Sequence, residues 1–383
     1  MQKPSILYYL HTYFMDSALE WLSDLKSNYD VHLVVELSPD SIKSTVINID
    51  SRIIDKDFGD LFEVLDETTK QVLAPYLQGM TSIKYVFYPT KQMISFKNLA
   101  IAFKVLFYIK RSKIDMIHFD TTSGRLMPVL PFLFSLKRIA TIHDPAPHTG
   151  EESLKKTIIK MVYNNLITNY LVYSRYSYQQ FIFNNRQLHF NLFTAQLKPY
   201  SYISRLDPTV KQESKYILYF GRISYYKGID LLIEAYKALA SQYPNLTLII
   251  AGKGSIDYMP TDNIHIDSIR LLNKYVSIQE LAELIQNAEF IVCPYREATQ
   301  SGVLMTAFAL NKPVLATNVG AFPEYVVENV NGMLVEPTVN GIEKGILTML
   351  NNNHYKDLEI QMKSFALKRI VNNENVFSEL YAN

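Results

Sequence analysis

The chain has 383 residues, an apolar fraction of 48%, a charged fraction of 20% and a net charge of +1. Those values exclude a disordered chain, carry no nucleic-acid signal, and give a length that suits two domains, each with its own core. The single cysteine, Cys293, lies in an apolar run, which excludes an intrachain disulfide or a cysteine zinc site and suits a reducing compartment.

Taken in order, Ile6 to Leu10 reads as a strand, Met15 to Leu25 as a helix with Leu19, Leu22 and Leu25 on one side, and Val31 to Val35 as a strand. Further strands are expected near Ile83 to Phe87, Met116 to His118, Ile139 to Ile142 and Leu171 to Tyr173. Strands separated by helix-length segments imply parallel pairing, so residues 1–198 are expected to form one doubly wound α/β domain. Between Pro199 and Ser214 the periodicity lapses, and residues 199–214 read as a linker. The alternation then restarts with strand Tyr216 to Phe220, helix Ile229 to Tyr243, strand Leu246 to Ala251, a strand from Leu271 to Lys274, and helix Ile278 to Asn287. Residues 215–360 are expected to form a second domain, and 361–383 a terminal helix packing back on the first.

The strand Phe290 to Cys293 is followed by a polar turn and a helix running through Val303 to Ala309. A helix start offers unpaired amides and partial positive charge, so a loop of small residues there can seat an anion such as a pyrophosphate. Glu297 stands just before that turn. The next strand, Pro313 to Thr317, leads to a segment carrying Glu324, so two strand ends aim polar groups at one crevice. Phe220-Gly221-Arg222-Ile223-Ser224-Tyr225-Tyr226-Lys227-Gly228 leaves its strand at the same edge of the sheet, where Arg222 and Lys227 could hold phosphate oxygens or merely be solvated. Gly252 and Gly254 form another strand-end turn, without a complete dinucleotide or P-loop pattern.

Together GRISYYKGIDLLIEAY, the GKG turn, SIQELAELIQNAEFIVCPYREATQSG, KPVLATNVGAFPEYV and NGMLVEP resemble the carboxyl-terminal domain of the family 4 retaining glycosyltransferases, across roughly 120 of the last 170 residues. The resemblance implies the GT-B fold: two Rossmann-like domains facing across a cleft, with a nucleotide sugar held mainly by the second and the acceptor mainly by the first. It implies donor-diphosphate contacts for Arg222 and Lys227, beside Gly221, Gly252 and Gly254. It further implies a sugar contact for Glu297 and a diphosphate cradle at Gln300, Ser301, Gly302 and Val303. The family's second acid, expected on the ribose, is absent: Met305 stands eight residues after Glu297, and Thr306 precedes Ala307-Phe308-Ala309. Thr306 is the expected weaker substitute. Tyr275 and Val276 are expected near the base, with a UDP-sugar the first donor to test and a GDP-sugar the second.

In the first half, His143 and Asp144 follow one strand, and His118 and Asp120 lie at the end of another. All four would border the cleft, and His143 is similar in placement to the family's donor-lining histidine; an ordinary hydrogen-bonded role is the alternative for both histidines. His11, Thr12 and Tyr13 follow the first strand, on the acceptor side. Asp55-Lys56-Asp57 has the form of a metal-binding triplet, but Arg222 and Lys227 would already do a metal's electrostatic work, so neither metal nor cofactor is expected. From Lys97 to Lys198 fourteen Lys/Arg face five Asp/Glu. Residues 97–113 and 154–166, the latter with Leu154, Ile158, Met161 and Val162 on one face, could meet an anionic membrane and a lipid-linked acceptor, or simply pack on the sheet.

The longest apolar runs, such as Leu126 to Leu136, are too short to span a bilayer, and no signal-peptide pattern is read, so the expected location is cytoplasmic or peripheral on the membrane's inner face. The expected reaction is retaining sugar transfer from a nucleotide sugar to a glycan or lipid-linked acceptor, in glycan, polysaccharide or glycolipid assembly. A sugar-nucleotide epimerase and a catalytically silent binding partner are the rivals.

Overall fold

A computed structural model describes residues 3–382 except 43, 45, 50–52, 91, 94, 147–153, 188, 207–214, 260–266 and 367–372. Half of the expected linker, 207–214, therefore lies outside the described residues, as do parts of the terminal segment.

The first sheet has eight strands: β1 (Ser5–His11), β2 (Asp30–Leu37), β3 (Phe58–Asp60), β4 (Ser82–Phe87), β5 (Met116–Phe119), β6 (Lys137–Thr141), β7 (Asn169–Val172) and β8 (Asn191–Thr194). Their order is β3-β4-β2-β1-β5-β6-β7-β8. All pairs are parallel except β3 with β4, an antiparallel edge that departs from the expected uniform crossovers. Five helices accompany it: α1 (Met15–Leu25), α2 (Glu67–Leu77), α3 (Phe96–Arg111), α4 (Leu154–Asn164) and α5 (Arg175–Asn184). Along β1 the period of two sends Ile6, Tyr8 and Leu10 to one core and Leu7 and Tyr9 to another on the opposite face. A sheet covered on both sides needs strands apolar on both sides, which is why these runs are almost unbroken.

The second sheet holds β9 (Lys215–Phe220), β10 (Leu246–Ala251), β11 (Ile269–Leu272), β12 (Ile291–Cys293), β13 (Val314–Thr317) and β14 (Gly332–Val335), in the order β11-β10-β9-β12-β13-β14. Its helices are α6 (Ile229–Ala240), α7 (Ile278–Asn287), α8 (Gly302–Ala309), α9 (Phe322–Tyr325), α10 (Val339–Leu350) and α11 (His354–Ala366). Counting parallel strands in chain order, the second sheet follows the 3-2-1-4-5-6 arrangement of the Rossmann fold and the first follows it with a seventh strand, β8, added at the far edge. Each has a switch point, between β1 and β5 in one and between β9 and β12 in the other, where neighbouring crossovers run to opposite faces and open a crevice.

The last helix, α12 (Glu374–Leu380), returns to the first domain. Phe377 stacks on Trp21 of α1 at 4.1 Å, and Trp21 Nε1 donates to Tyr381 at 2.9 Å. The core on the α1 side of the first sheet continues through Tyr200, Tyr202 and Ile203 into the second domain.

Candidate active site

The two switch points face one another. A cavity of about 170 Å3 lies between them, lined from the first domain by Tyr13, Phe14, Asp16, Ser17 and Asp144. Across it stand Lys227, Glu297 and the start of α8 at Gln300, Ser301, Gly302 and Val303, with Tyr200 closing one side.

Lys227 ends a single 3-10 turn, Tyr225–Lys227, and Gly228 at φ +65° then starts α6. A β-carbon on Gly228 would stand 2.0 Å from the Pro294 carbonyl oxygen, so only glycine lets this turn press against the loop after β12. The Lys227 ammonium lies 3.8 Å from the centre of the Tyr295 ring and 4.8 Å from that of Tyr226, and these aromatic faces help set its direction. Arg222 is exposed and lies outside the cavity lining; burial and Asp40 raise the pKa of Tyr13 on the opposite domain, and the Arg222 charge only partly offsets them. Ser301 is the N-cap of α8, its hydroxyl accepting from the Leu304 amide at 3.4 Å, and the first turn of α8 carries no acidic residue of its own.

His143 reaches this region from behind Phe14, on which it stacks at 4.0 Å. Its Nδ1 lies 2.6 Å from Gln300 Nε2, a contact in which the neutral ring accepts from the amide, and its Nε2 lies 3.2 Å from Asp120 Oδ2. Burial works against the charged ring, but the Asp120 carboxylate outweighs it and holds His143 above its ordinary value. Asp120 is fully buried and also accepts from Tyr8 at 2.6 Å, so it orients His143 rather than meeting the cleft. Asp144 does line the cavity, accepting from Thr299 at 2.5 Å.

Residues 214–352 match the family model described as Glycosyl transferases group 1. An uncharacterized glycosyltransferase of Methanocaldococcus jannaschii is 25% identical over 268 residues, spanning 68% of this chain and 72% of that protein. GDP-mannose:glycolipid 4-beta-D-mannosyltransferase of Xanthomonas campestris is 34% identical over 104 residues, 26% of this chain and 29% of that protein. Among solved structures, HepE of Anabaena in complex with UDP and glucose superposes with a TM-score of 0.65 at 16% identity, covering 99% of this chain and 100% of that one. The likenesses support a GT-B glycosyltransferase.

Several residues singled out in the sequence have other partners in this GT-B structure. His118 is fully buried, with Nδ1 at 2.5 Å from the Tyr381 hydroxyl and Nε2 at 2.8 Å from Thr141; burial pushes its pKa down to about 3, so it is a neutral core histidine and does not border the cleft. Thr12 is buried and donates to the Ser41 carbonyl at 2.7 Å, while His11 stacks on Tyr13 at 4.9 Å and is held below its ordinary pKa by burial. Thr306 donates to Gly302 at 2.7 Å, one turn back in α8, so its proton is already placed. Gly252, at φ +149°, would bring a β-carbon to 1.8 Å from the Gly221 carbonyl oxygen, and Gly254 bridges Ile223, so both fit neighbouring loops together. Gly221 in turn approaches α8, since a β-carbon there would lie 3.2 Å from Val303 Cγ2. The Tyr275 hydroxyl donates to the Ser44 carbonyl of the first domain, and Val276 packs against the core. Asp55 and Asp57 line a separate groove beside α3, where Asp57 pairs with Lys104 at 2.9 Å.

Glu324, expected at the crevice, instead spans the two domains. Its two carboxylate oxygens accept the Arg175 and Tyr176 amides at the start of α5, each at 2.8 Å. A carboxylate is drawn there by the same partial positive charge that α8 offers. The lining residues missed in the sequence include Phe14, Asp16, Ser17 and Tyr200. Asp16 had a signal: an acid in the first turn of a helix that follows the first strand.

Proposed function

We propose that the chain transfers a sugar from a nucleotide-diphosphate sugar to an acceptor hydroxyl with retention of configuration, in glycan, polysaccharide or glycolipid assembly. The observation that carries this reading is the convergence in one interdomain cavity of a cation (Lys227), a carboxylate (Glu297) and a helix start without an acid of its own (α8). Lys227, Arg222 and the α8 amides would stabilise the charge that grows on the departing diphosphate, an interaction strongest in the transition state. His143, backed by Asp120, and Glu297 would orient the sugar. Residues 215–360 act as the donor side and 1–198 as the acceptor side, with His11 and Asp144 toward the acceptor. A UDP-sugar is the first donor to test, since HepE superposes in a complex with UDP and glucose.

A lipid-linked acceptor is favoured by the surface of the first domain. Phe96, Phe103 and Phe107 of α3 are exposed, Phe96 at 96%, beside exposed Lys97, Lys104, Lys110 and Arg111. In α4, Leu154, Ile158 and Met161 of that face are exposed, Leu154 at 86%, while Val162 packs on the core. Among the described residues no helix is long and apolar enough to cross a membrane, and surface attachment through these side chains is the corresponding mode.

The test is Arg222→Ala combined with Lys227→Ala, assayed by native mass spectrometry and product analysis with UDP-, GDP- and ADP-sugars. Loss of donor binding and turnover is expected, whereas unchanged transfer or donor hydrolysis would sink the reading. Conversion of a donor to its epimer without acceptor would replace transfer by epimerisation. Binding without turnover across an acceptor panel would leave a sugar-nucleotide binder.

A further inference from the structure

Asp16 places an acidic side chain in the same cavity as the α8 anion site, and it comes from the opposite domain. It lies in the first turn of α1, directly after the β1 switch-point loop, and is half-buried. Its Oδ1 accepts the Ser17 amide at 2.9 Å. Its Oδ2 reaches the start of α8, 3.8 Å from where a β-carbon on Gly302 would stand. Without donor, a carboxylate facing that helix start is favourable, because α8 supplies no acid in its own first turn. A diphosphate seated on the same amides would place two further negative charges against it.

We propose that Asp16 is a donor-positioning residue that meets the diphosphate as a neutral carboxylic acid, so that donor binding takes up one proton. The neutral acid can donate a hydrogen bond to a phosphate oxygen, where the carboxylate could only repel it. This rests on the donor site proposed above.

The surroundings fit. Burial pushes the Asp16 carboxyl up to about 6, against the Ser17 amide and the His143 charge, which favour ionisation, while Asp120 disfavours it. Tyr200 and Tyr202 feel the Asp16 charge from the connecting segment. Lys227, Glu297 and Asp144 complete the charged lining of the cavity. In the free protein Asp16 is thus largely ionised at pH 7, and a ligand that requires the neutral form binds more weakly as pH rises.

The experiment is isothermal titration of a nucleotide sugar, whose doubly esterified diphosphate does not titrate in this range, into the full chain from pH 5 to 8.5. For the wild-type chain the dissociation constant should climb above pH 6, by up to about tenfold per pH unit. Repeating the titration in buffers of different ionisation enthalpy should show close to one proton taken up at pH 7.5. Asp16→Asn, which keeps the shape and can still donate, should bind with a flattened profile and more tightly than wild type at pH 8. A wild-type slope retained in Asp16→Asn, as His143 would produce, overturns the proposal, and so does absence of proton uptake by the wild-type chain. Lys227→Ala separates the two levels: donor binding that survives it at every pH removes the donor-site reading itself, whereas loss of binding with a flat wild-type profile removes only the role of Asp16.

Discussion

Glu324→Ala should open the molecule. In the closed arrangement the Glu324 carboxylate accepts two amides at the start of α5, and beside it Ser174 and Ser177 donate to the Thr299 carbonyl at 3.0 and 3.1 Å. These contacts tie α9 and the Glu297 to Ser301 loop of the second domain to one helix of the first. A hydrogen bond to a charged group contributes about 1.5–3 kcal/mol when well shielded. Glu324 is only half-buried and water can replace it on the amides, so about 1 kcal/mol for each bond, roughly 2 kcal/mol together, is the better figure. That lowers the closure constant about 30-fold. The assay is single-molecule energy transfer between dyes on one engineered exposed cysteine per domain, feasible because the native Cys293 is fully buried. Glu324→Ala should populate an open state and lower kcat/KM for donor, because the cavity needs both domains. Glu324→Gln, which keeps one carbonyl oxygen but no charge, should fall between. If the distance distribution and kcat/KM of the alanine variant stay within about twofold of wild type, the reasoning fails.

Further outcomes follow from single contacts. Burial depresses the His118 pKa to about 3, so the unfolded chain binds a proton below pH 6.5 that the folded chain does not; this costs stability progressively from pH 6.5 down toward 3, at up to about 1.4 kcal/mol per unit. The stability gap between wild type and His118→Gln, measured in urea at pH 7.5 and pH 5, should therefore narrow at the lower pH; a constant gap would refute it. Tyr381→Phe removes the hydroxyl that serves both Trp21 and His118 and should cost about 1–3 kcal/mol by the same urea measurement. Gly252→Ala drives a β-carbon to within 1.8 Å of the Gly221 oxygen and should destabilise by about 3 kcal/mol, read as a lower thermal midpoint. Phe96→Ser with Phe107→Ser should reduce sedimentation with vesicles rich in anionic lipid by about tenfold or more, while donor turnover in solution is retained.

Much of this molecule was legible in the chain because it rests on local rules. Strand runs apolar on both faces, helical stretches such as Ile278 to Asn287, and glycine turns at strand ends are written over a few residues each, and they placed Lys227, Glu297 and the α8 start at one sheet edge. Short-range information does not say which strand end is left open. His118 and His143 look alike in sequence, each at the end of a strand in the same sheet. The first is covered by Tyr381, 263 residues away, and the second is backed by Asp120 and faces Gln300 across the domain boundary. Glu324 seemed aimed at a crevice, and the start of α5 captured it. The surroundings that give Asp16 its meaning come from the opposite domain. Composition and periodicity determined two halves of alternating strands and helices. How the halves face each other, and therefore which polar side chains are buried, paired or presented to a ligand, was decided by packing between residues far apart in the chain.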